Sequence, residues 1–497
     1  MTDLNITDAI FDWAEQRPHA VAVIDGETVV SYRTLCHGVR LAAQRFRQAG
    51  WRAGDIVGIS LSGSPVLHIL VSIALARSGI TQVSLSMAES VPLARERMRK
   101  VGATGVVTDH AVENPGMTTV APELRWLGDA PESSAVEDVR AGGGDRIWII
   151  SESSGTTGAP KLIGISHAIE EAHGRRAASV FGYRRDERFL TLTGFRFLTG
   201  LKRAIRCLCE GGTVTVPPVD LNYAQLLDWI DVHDVTYLSG VPLHLHNLLS
   251  VAHTDRPRLP ALRILRCSSG ALPPAMLAEV RRRISPNIYT TYGASEAGPM
   301  AAATPEMLAV HPDTVGRPLD GIEVDIVDDA DRPLPSGAVG RVRARGLGLV
   351  PTYVGMVVGD QSRVFRDGWC YTGDVGWMSE DGLLFLKGRA DDTMNFDGIM
   401  VGPAEIESVL RQHPAVADVA AFALPSPEHQ DVPAAAIVSA QPLQIDELAN
   451  FCRERLGVRA PRLFLRVDAI PRNPMGKVLR RELTKLALAM LQKQARR

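Results

Sequence analysis

The chain has little that would commit it to a special environment. Its six cysteines among 497 residues (Cys36, Cys207, Cys209, Cys267, Cys370 and Cys452) never fall into metal-ligand spacing, and Cys207 and Cys209 form C-x-C, not C-x-x-C. They read as free thiols of a reducing, cytoplasmic compartment. Charge of one sign is also missing: 54 basic and 56 acidic residues are well mixed, with a net of -2. Without a basic tract there is no footprint for nucleic acid. The opening "MTDLNITDAIFDWAEQRP" is acidic and has no apolar signal core, so no secretory signal is expected. The longest apolar run, "VLHILVSIALARSGI", is too short to span a bilayer and carries His68 and Arg77. There is no internal repeat and no G-x-x-x-x-G-K-[ST] phosphate motif.

What remains is an ordinary globular composition, 45% hydrophobic and 22% charged. At about 150 residues per domain the length suggests two to four domains. Up to about residue 130 helix-like and strand-like segments alternate: "ITDAIFDWAEQR" reads as a helix capped by Thr7, "AVAVID" and "DIVGISL" as strands, and "SYRTLCHGVRLAAQRFRQAG" as an amphipathic helix. "RIWIISE", "LIGIS", "LRILRCSSG" and "NIYTTYG" continue the strands, with helix "PPAMLAEVRRRI" between the last two. This alternation predicts an α/β fold of layered units. From about 321 short strands with turns take over ("GIEVDIVDD", "GAVGRVRARG", "GLLFLKG"), which predicts a small β-rich subdomain. From about 392 a compact α+β unit follows. The boundary is expected at "GRADD" (388–392), a glycine-plus-charge stretch between two packed patterns.

Four short segments carry chemistry. "SESSGTTGAPKLIGISH" (151–167) sets Ser, Thr and Gly residues between two apolar strands and closes on Pro160 and Lys161. It is either a flexible linker or a backbone nest for an anion, with hydroxyls at Ser154, Thr156 and Thr157 and a point charge at Lys161. "TYGASEAGPM" (291–300) offers Tyr292 as a flat face for a base and Glu296 as a hard oxygen donor for Mg²⁺, or else a core tyrosine and a solvated glutamate. "YTGD" puts Asp374 in a tight turn, where a carboxylate accepts two ribose hydroxyls or simply closes the turn. "PRNPMGKVLRREL" places Lys477 after a Pro- and Gly-containing turn, as a mobile cation or a surface lysine.

Together "SSGTTGAPK", "YGASE", "YTGD", "GRADD" and "PRNPMGK" stand in the order and spacing of one family. From about residue 8 to 485 the chain resembles the adenylate-forming superfamily of acyl-CoA synthetases, adenylation domains and firefly luciferase. The resemblance implies ATP-dependent activation of a carboxylic acid to an acyl-adenylate, release of pyrophosphate, and transfer to CoA, with Mg²⁺ required. It implies a large N-terminal domain (1–388), a hinge (389–391) at Asp391 and a small mobile C-terminal domain (392–497). Ser153, Ser154, Gly155, Thr156, Thr157, Gly158 and Lys161 would hold the β- and γ-phosphates, with Thr157 also among the catalytic groups. Gly270 and Ala271 would run along the adenine, Tyr292 would stack on it, and Gly293 and Ser295 would border it. Glu296 would ligate Mg²⁺, Asp374 and Arg389 would hold the ribose, and Lys477 would reach the α-phosphate and the substrate carboxylate. Gly398 would let a pantetheine arm pass.

The chain departs from the family pattern at Leu162, at Asn395, at Phe197 (where many members carry His) and in "HQDVPAAAIV". By the same resemblance Phe195, Phe197, Gly240 and Val241 line the acyl pocket. Lys202, Arg203 and Arg206 are expected to form a solvated helix face; otherwise Arg196, or an inward-turned Lys202, would meet a second carboxylate on the acid. Two alternatives remain beside the CoA ligase: a free-standing enzyme that loads the phosphopantetheine arm of a carrier protein, and a catalytically silent ligand-binding member.

Overall fold

A computed structural model gives the fold; it describes residues 3–85, 91–110, 117–128, 136–153, 161–270, 272–355, 361, 364–396, 399–426, 430–439, 441, 443–474 and 476–495. Its first helix, Asp8–Gln16, follows Thr7 as expected, but the Thr7 hydroxyl bonds Asn5 Oδ1 at 2.8 Å instead of capping the helix. The amphipathic helix Tyr32–Gln48 is capped by Ser31, whose side chain accepts from the Thr34 N–H at 3.1 Å. The longest apolar run becomes helix Pro65–Arg77, buried on every side. Such a helix is a core element, and among the described residues no helix is long and apolar enough to cross a membrane. Its terminal Arg77 ends between Asp8 (2.7 Å) and Asp138.

The described residues form three sheets. A six-stranded sheet runs Thr118–Val120, Gly105–Thr108, Ile56–Ser60, Thr81–Ser84, Ile147–Ser153, Lys161–Ser166, parallel until its antiparallel last pair. A fourteen-stranded sheet has a parallel stretch, Phe189's strand beside Tyr237–Gly240, Ile264–Ser268 and Ile288–Ala294, and then continues antiparallel through Leu384–Arg389 and Trp369–Met378 to an edge at Ile322–Val327. The third sheet, of five strands, holds Met394–Phe396, Ile399–Val401, Val416–Ser426, Gln430–Ser439 and Leu463–Arg466.

That last sheet shows how its sequence folds. Side chains alternate across a strand. Val419 and Ala421 with Ala435 and Ile437 pack on one face, and Ala420, Phe422 and Leu424 with Ala434 and Ala436 on the other. Both faces are apolar, so helices cover both: Ile406 and Leu410 with Leu448 and Cys452 on the first, Leu483 and Ala487 on the second. Among the described residues, no hydrophobic cluster joins residues before 387 to residues after 393. All six cysteines are unpaired.

Candidate active site

Antiparallel pairing of Trp369–Met378 with Leu384–Arg389 sets Asp374 directly opposite Arg389. Arg389 Nη1 donates to Thr372 O at 2.6 Å and to Asp374 Oδ1 at 3.3 Å. Gly373 lies between, at φ +74°, and a Cβ there would sit 2.8 Å from the guanidinium. Only glycine takes that backbone and leaves that space. The Tyr292 hydroxyl, from strand Ile288–Ala294, donates to Asp374 Oδ2 at 2.6 Å and lies 3.1 Å from Thr372 Oγ1. Burial first, and the Asp374 charge second, raise its phenol well above the ordinary value, so it stays a donor.

Lys477 comes from the other unit. The turn 472–478 is closed by paired backbone groups (Asn473 N to Lys477 O, 2.9 Å) and by Asn473 Oδ1 accepting from the Lys477 N–H at 2.9 Å. The turn lies against the large unit: a Cβ on Gly476 would touch Leu243 at 3.2 Å. Burial, then the charge of Arg389, lower the Lys477 ammonium from its usual value, while Asp392 and Asp374 oppose that shift. Lys477, Asp374, Arg389 and Tyr292 are thus brought together.

Glu296 is held at both ends. Val350 N donates to its carbonyl at 2.8 Å, and the Tyr353 hydroxyl donates to Oε1 at 2.8 Å. Burial and the Glu296 charge raise the Tyr353 phenol. Tyr353 and Val354 pair onto the strand Lys161–Ser166, and Lys161 Nζ lies 4.9 Å from the Tyr353 ring centre. Tyr353 therefore links the carboxylate to the lysine that closes the Gly-rich stretch. Among the described residues no cluster of three His, Cys, Asp or Glu could hold a metal. A single carboxylate with one oxygen engaged suits Mg²⁺, which keeps its waters and takes its remaining ligands from phosphates. Ser153 ends strand Ile147–Ser153; Ser154, Gly155, Thr156, Thr157, Gly158, Ala271 and Gly398 lie outside the described residues.

A cavity of about 210 Å³ opens beyond the same strand, lined by residues of helices His167–Phe181 and Leu198–Cys209 and of strands Ile264–Ser268 and Ile288–Ala294. Thr291, Gly293 and Ala294 face it and Tyr292 does not, the strand's pairing shifting register between Tyr292 and Gly293. Gly293 and Ser295 line it as well, and Gly270 lies exposed at the end of the strand before, next to Ser269, a non-glycine residue at φ +68°. None of Phe195, Phe197, Gly240 and Val241 lines it. Phe195 and Val241 are core residues, Gly240 ends strand Tyr237–Gly240, and Phe197 precedes helix Leu198–Cys209, whose next turns supply Leu198, Thr199, Lys202 and Arg203. Arg196 points elsewhere and donates to Leu61 O at 3.2 Å.

The expected solvated face of Lys202, Arg203 and Arg206 is overturned. Their helix packs against His167–Phe181, whose acids neutralise two of them in place: Lys202 Nζ lies 2.7 Å from Glu170, and Arg206 lies 3.0 Å from Glu171 and 2.6 Å from Glu210. Pairing removes most of the penalty for burying such charges. Arg203 is buried as well, without an acidic partner among the described residues. Lys202 also donates to His173 Nδ1 at 2.9 Å, while His173 Nε2–H donates to Gly348 O at 2.7 Å. Burial, then Lys202 and Arg176, hold His173 neutral, well below its ordinary value. Arg176 gathers the carbonyls of Ala297 (3.0 Å), Pro299 (2.7 Å) and Leu347, and burial pushes it down to about 10.

Sequence reasoning missed Tyr353, His173, Arg176 and Arg266. For Arg266 there was a signal: a charge inside the apolar strand "ILRCS", in a stretch of sheet whose parallel strands ordinarily read as continuous apolar runs.

Residues 10–354 match the AMP-binding enzyme family, and residues 405–477 match the AMP-binding enzyme C-terminal domain. A 2-succinylbenzoate–CoA ligase of Bacillus licheniformis is 27% identical over 484 residues, covering 95% of this chain and 99% of that protein. The structure of o-succinylbenzoate CoA synthetase from Bacillus subtilis in complex with its acyl-adenylate intermediate shares the fold, with a TM-score of 0.86 at 24% identity, covering 97% of this chain and 98% of that one. The amide bond synthetase McbA from Marinactinospora thermotolerans superposes with a TM-score of 0.84 at 26% identity, covering 97% and 99%.

Proposed function

This chain belongs to the AMP-binding enzyme family, and from that premise we propose that it activates a carboxylic acid with ATP, releasing pyrophosphate, and then transfers the acyl group from the acyl-adenylate to the thiol of CoA. The observation that carries the reading is the meeting of Tyr292, Asp374, Arg389 and Lys477 from separate segments of the chain. An ionised carboxylate has about four acceptor sites, so Asp374, fixed by Tyr292 and Arg389, keeps capacity for two ribose hydroxyls. Tyr292, Gly270, Ala271, Gly293 and Ser295 border the base. Ser153 to Gly158 and Lys161 take the β- and γ-phosphates, with Thr157 among them.

Attack of a carboxylate on the α-phosphate brings anions together. A cation already in place at the developing charge lowers that barrier, and Lys477 supplies it. Glu296 would hold Mg²⁺ on the triphosphate, where the ion neutralises charge. The cavity beyond strand Ile288–Ala294 takes the body of the acid.

The separate cores support a large unit of 1–388, a hinge at 389–391 and a small unit of 392–497. Asp391 sits exposed in the turn Ala390–Asp392. Rotation there withdraws Lys477 so that a thiol, passing Gly398, reaches the acyl carbonyl.

ATP–pyrophosphate exchange over a panel of acids tests this, followed by CoA, a carrier-protein phosphopantetheine arm and a primary amine as acceptors. Acid- and Mg²⁺-dependent exchange with thioester formed on CoA is expected. ATP binding without exchange for any acid refutes it. The likeness to an amide bond synthetase favours a second reading, in which an amine takes the acyl group; an amide product with no thioester would establish that one.

A further inference from the structure

Three neighbouring parallel strands turn polar on one face. Tyr237 and Ser239, Arg266 and Ser268, Thr291 and Gly293 are alternate residues of Tyr237–Gly240, Ile264–Ser268 and Ile288–Ala294, with Ser239 opposite Arg266 and Ser268 opposite Thr291. The opposite face carries Leu238, Leu265 and Cys267 in a hydrophobic cluster. Parallel sheets covered on both sides are ordinarily apolar throughout, and in open α/β sheets ligands bind beyond the carboxyl ends of the strands. This polar face borders the cavity, and Arg203 reaches it from helix Leu198–Cys209.

Among the described residues Arg203 and Arg266 have only neutral hydrogen-bond partners. Arg203 donates to Ser239 Oγ and, at 3.1 Å, to Ser268 Oγ. Arg266 donates to Thr291 Oγ1 at 2.9 Å and to the Tyr237 hydroxyl at 3.2 Å, with its guanidinium 4.1 Å from the Phe181 ring centre. Among the described residues lining the cavity the one acid is Glu170, already 2.7 Å from Lys202. Burial raises the Tyr183 phenol and pushes the Cys267 thiol up to about 12, so neither supplies an anion. Burial, then the neighbouring Arg266, push Arg203 down to about 9. Two buried guanidiniums without an acid are costly to the empty protein, and their fork geometry is made for a carboxylate.

We propose that the acid activated by this enzyme carries a second carboxylate at its far end, which Arg203 and Arg266 receive in this cavity. The inference rests on the adenylation reading and names its substrate class, a compact dicarboxylic acid. The cavity exceeds the roughly 150 Å³ that takes a benzene ring, so a ring-sized body between the two carboxyls fits. Strand Ile288–Ala294 is then a common wall: Tyr292 serves the nucleotide on one side, and Thr291 positions Arg266 on the other.

The test measures kcat/KM for pyrophosphate release with 2-succinylbenzoate, glutarate and adipate, each against the monomethyl ester of its far carboxyl. Wild type, Arg203→Met and Arg266→Met are compared, and thermal shifts with the same acids are recorded without ATP. At least one diacid should exceed its ester by about 100-fold in the wild type, and that ratio should fall at least about 30-fold in each variant. The same diacid should raise the wild-type Tm and leave the variants' Tm unmoved. If esters or plain monoacids are activated as well as diacids, or the ratio survives in both variants, the second-carboxylate site is refuted while adenylation stands. If no acid is activated but a diacid still stabilises wild type alone, adenylation fails and the site stands; if neither occurs, both fall. Should a variant fail to fold, the wild-type diacid-to-ester ratio decides, and parity overturns the proposal.

Discussion

The proposed nucleotide cleft and the proposed acid cavity lie on two sides of one strand and handle charge in different ways. In the cleft three of the ionic groups already have companions: Asp374 with Arg389 and Tyr292, Glu296 with Tyr353, and Lys161 with the Tyr353 ring. In the cavity two guanidiniums, Arg203 and Arg266, have no charged companion among the described residues. The cleft also draws Lys477 from the small unit, whereas the cavity's lining residues, 170 to 299, all belong to the large one. A cleft whose members fix one another receives the same cosubstrate at every turnover. A cavity that leaves charge unmatched selects which acid completes it.

Lys477→Ala breaks the comparison most. It should lower acyl-adenylate formation about 10²–10³-fold and leave acid binding in the cavity and thioester synthesis from supplied acyl-adenylate near wild type. The two half-reactions must be timed separately, because product release hides a slow step. On the cavity side, Gly298 has φ +69° and a Cβ there would lie 2.3 Å from His173 Nε2. Gly298→Ala should cost about 2–3 kcal/mol in urea unfolding, whereas the same change at half-buried Gly382, at φ +79° with nothing within reach of a Cβ, should cost less. Asp391→Pro fixes φ and removes a donor; it should slow the thioester step at least about tenfold relative to adenylation, without shifting acid binding. Equal losses in both half-reactions would remove Asp391 from the hinge.

A further effect is that of pH. His173, in the cavity wall, and His68 and His167, both pushed down to about 4 chiefly by burial, are held neutral in the fold. Below about pH 6.5 the unfolded chain binds protons that the folded chain refuses. Stability is therefore complete above that value and is lost as pH falls towards 4, by at most about 1.4 kcal/mol per pH unit for each histidine. Urea midpoints at pH 7 and 5.5 measure the slope. A flat profile would show that these rings are not held neutral.

The cleft was legible because its groups sit in loops and at strand ends, where Gly, Pro, Thr and Asp cluster for local backbone reasons and leave quotable motifs such as "YTGD" and "YGASE". The small unit was legible too, since "VADVAAFALP" and "PAAAIVSA" are apolar on both alternations and can only be a covered sheet. The cavity was not legible. Arg203 is one of three cations in "LKRAIR", and a sequence shows the charge but hides which of them is buried. Lys202 and Arg206 were misread for a related reason: the acids that allow their burial lie some thirty residues earlier, on another helix. Tyr353 joins Glu296 to Lys161 through contacts between distant segments that no local pattern encodes.

The segregation of hydrophobic clusters on either side of residues 387–393 also bears on how the molecule wears out. A chain with separate cores melts in more than one cooperative step. Loss of the small core would strip away Lys477, the ammonium proposed to meet the phosphates, while the large unit stayed folded with its proposed acid cavity intact. Damaged copies would then sequester substrate they could no longer convert, and proteolysis that first clears the smaller unit would leave behind an inert binding protein in place of an enzyme.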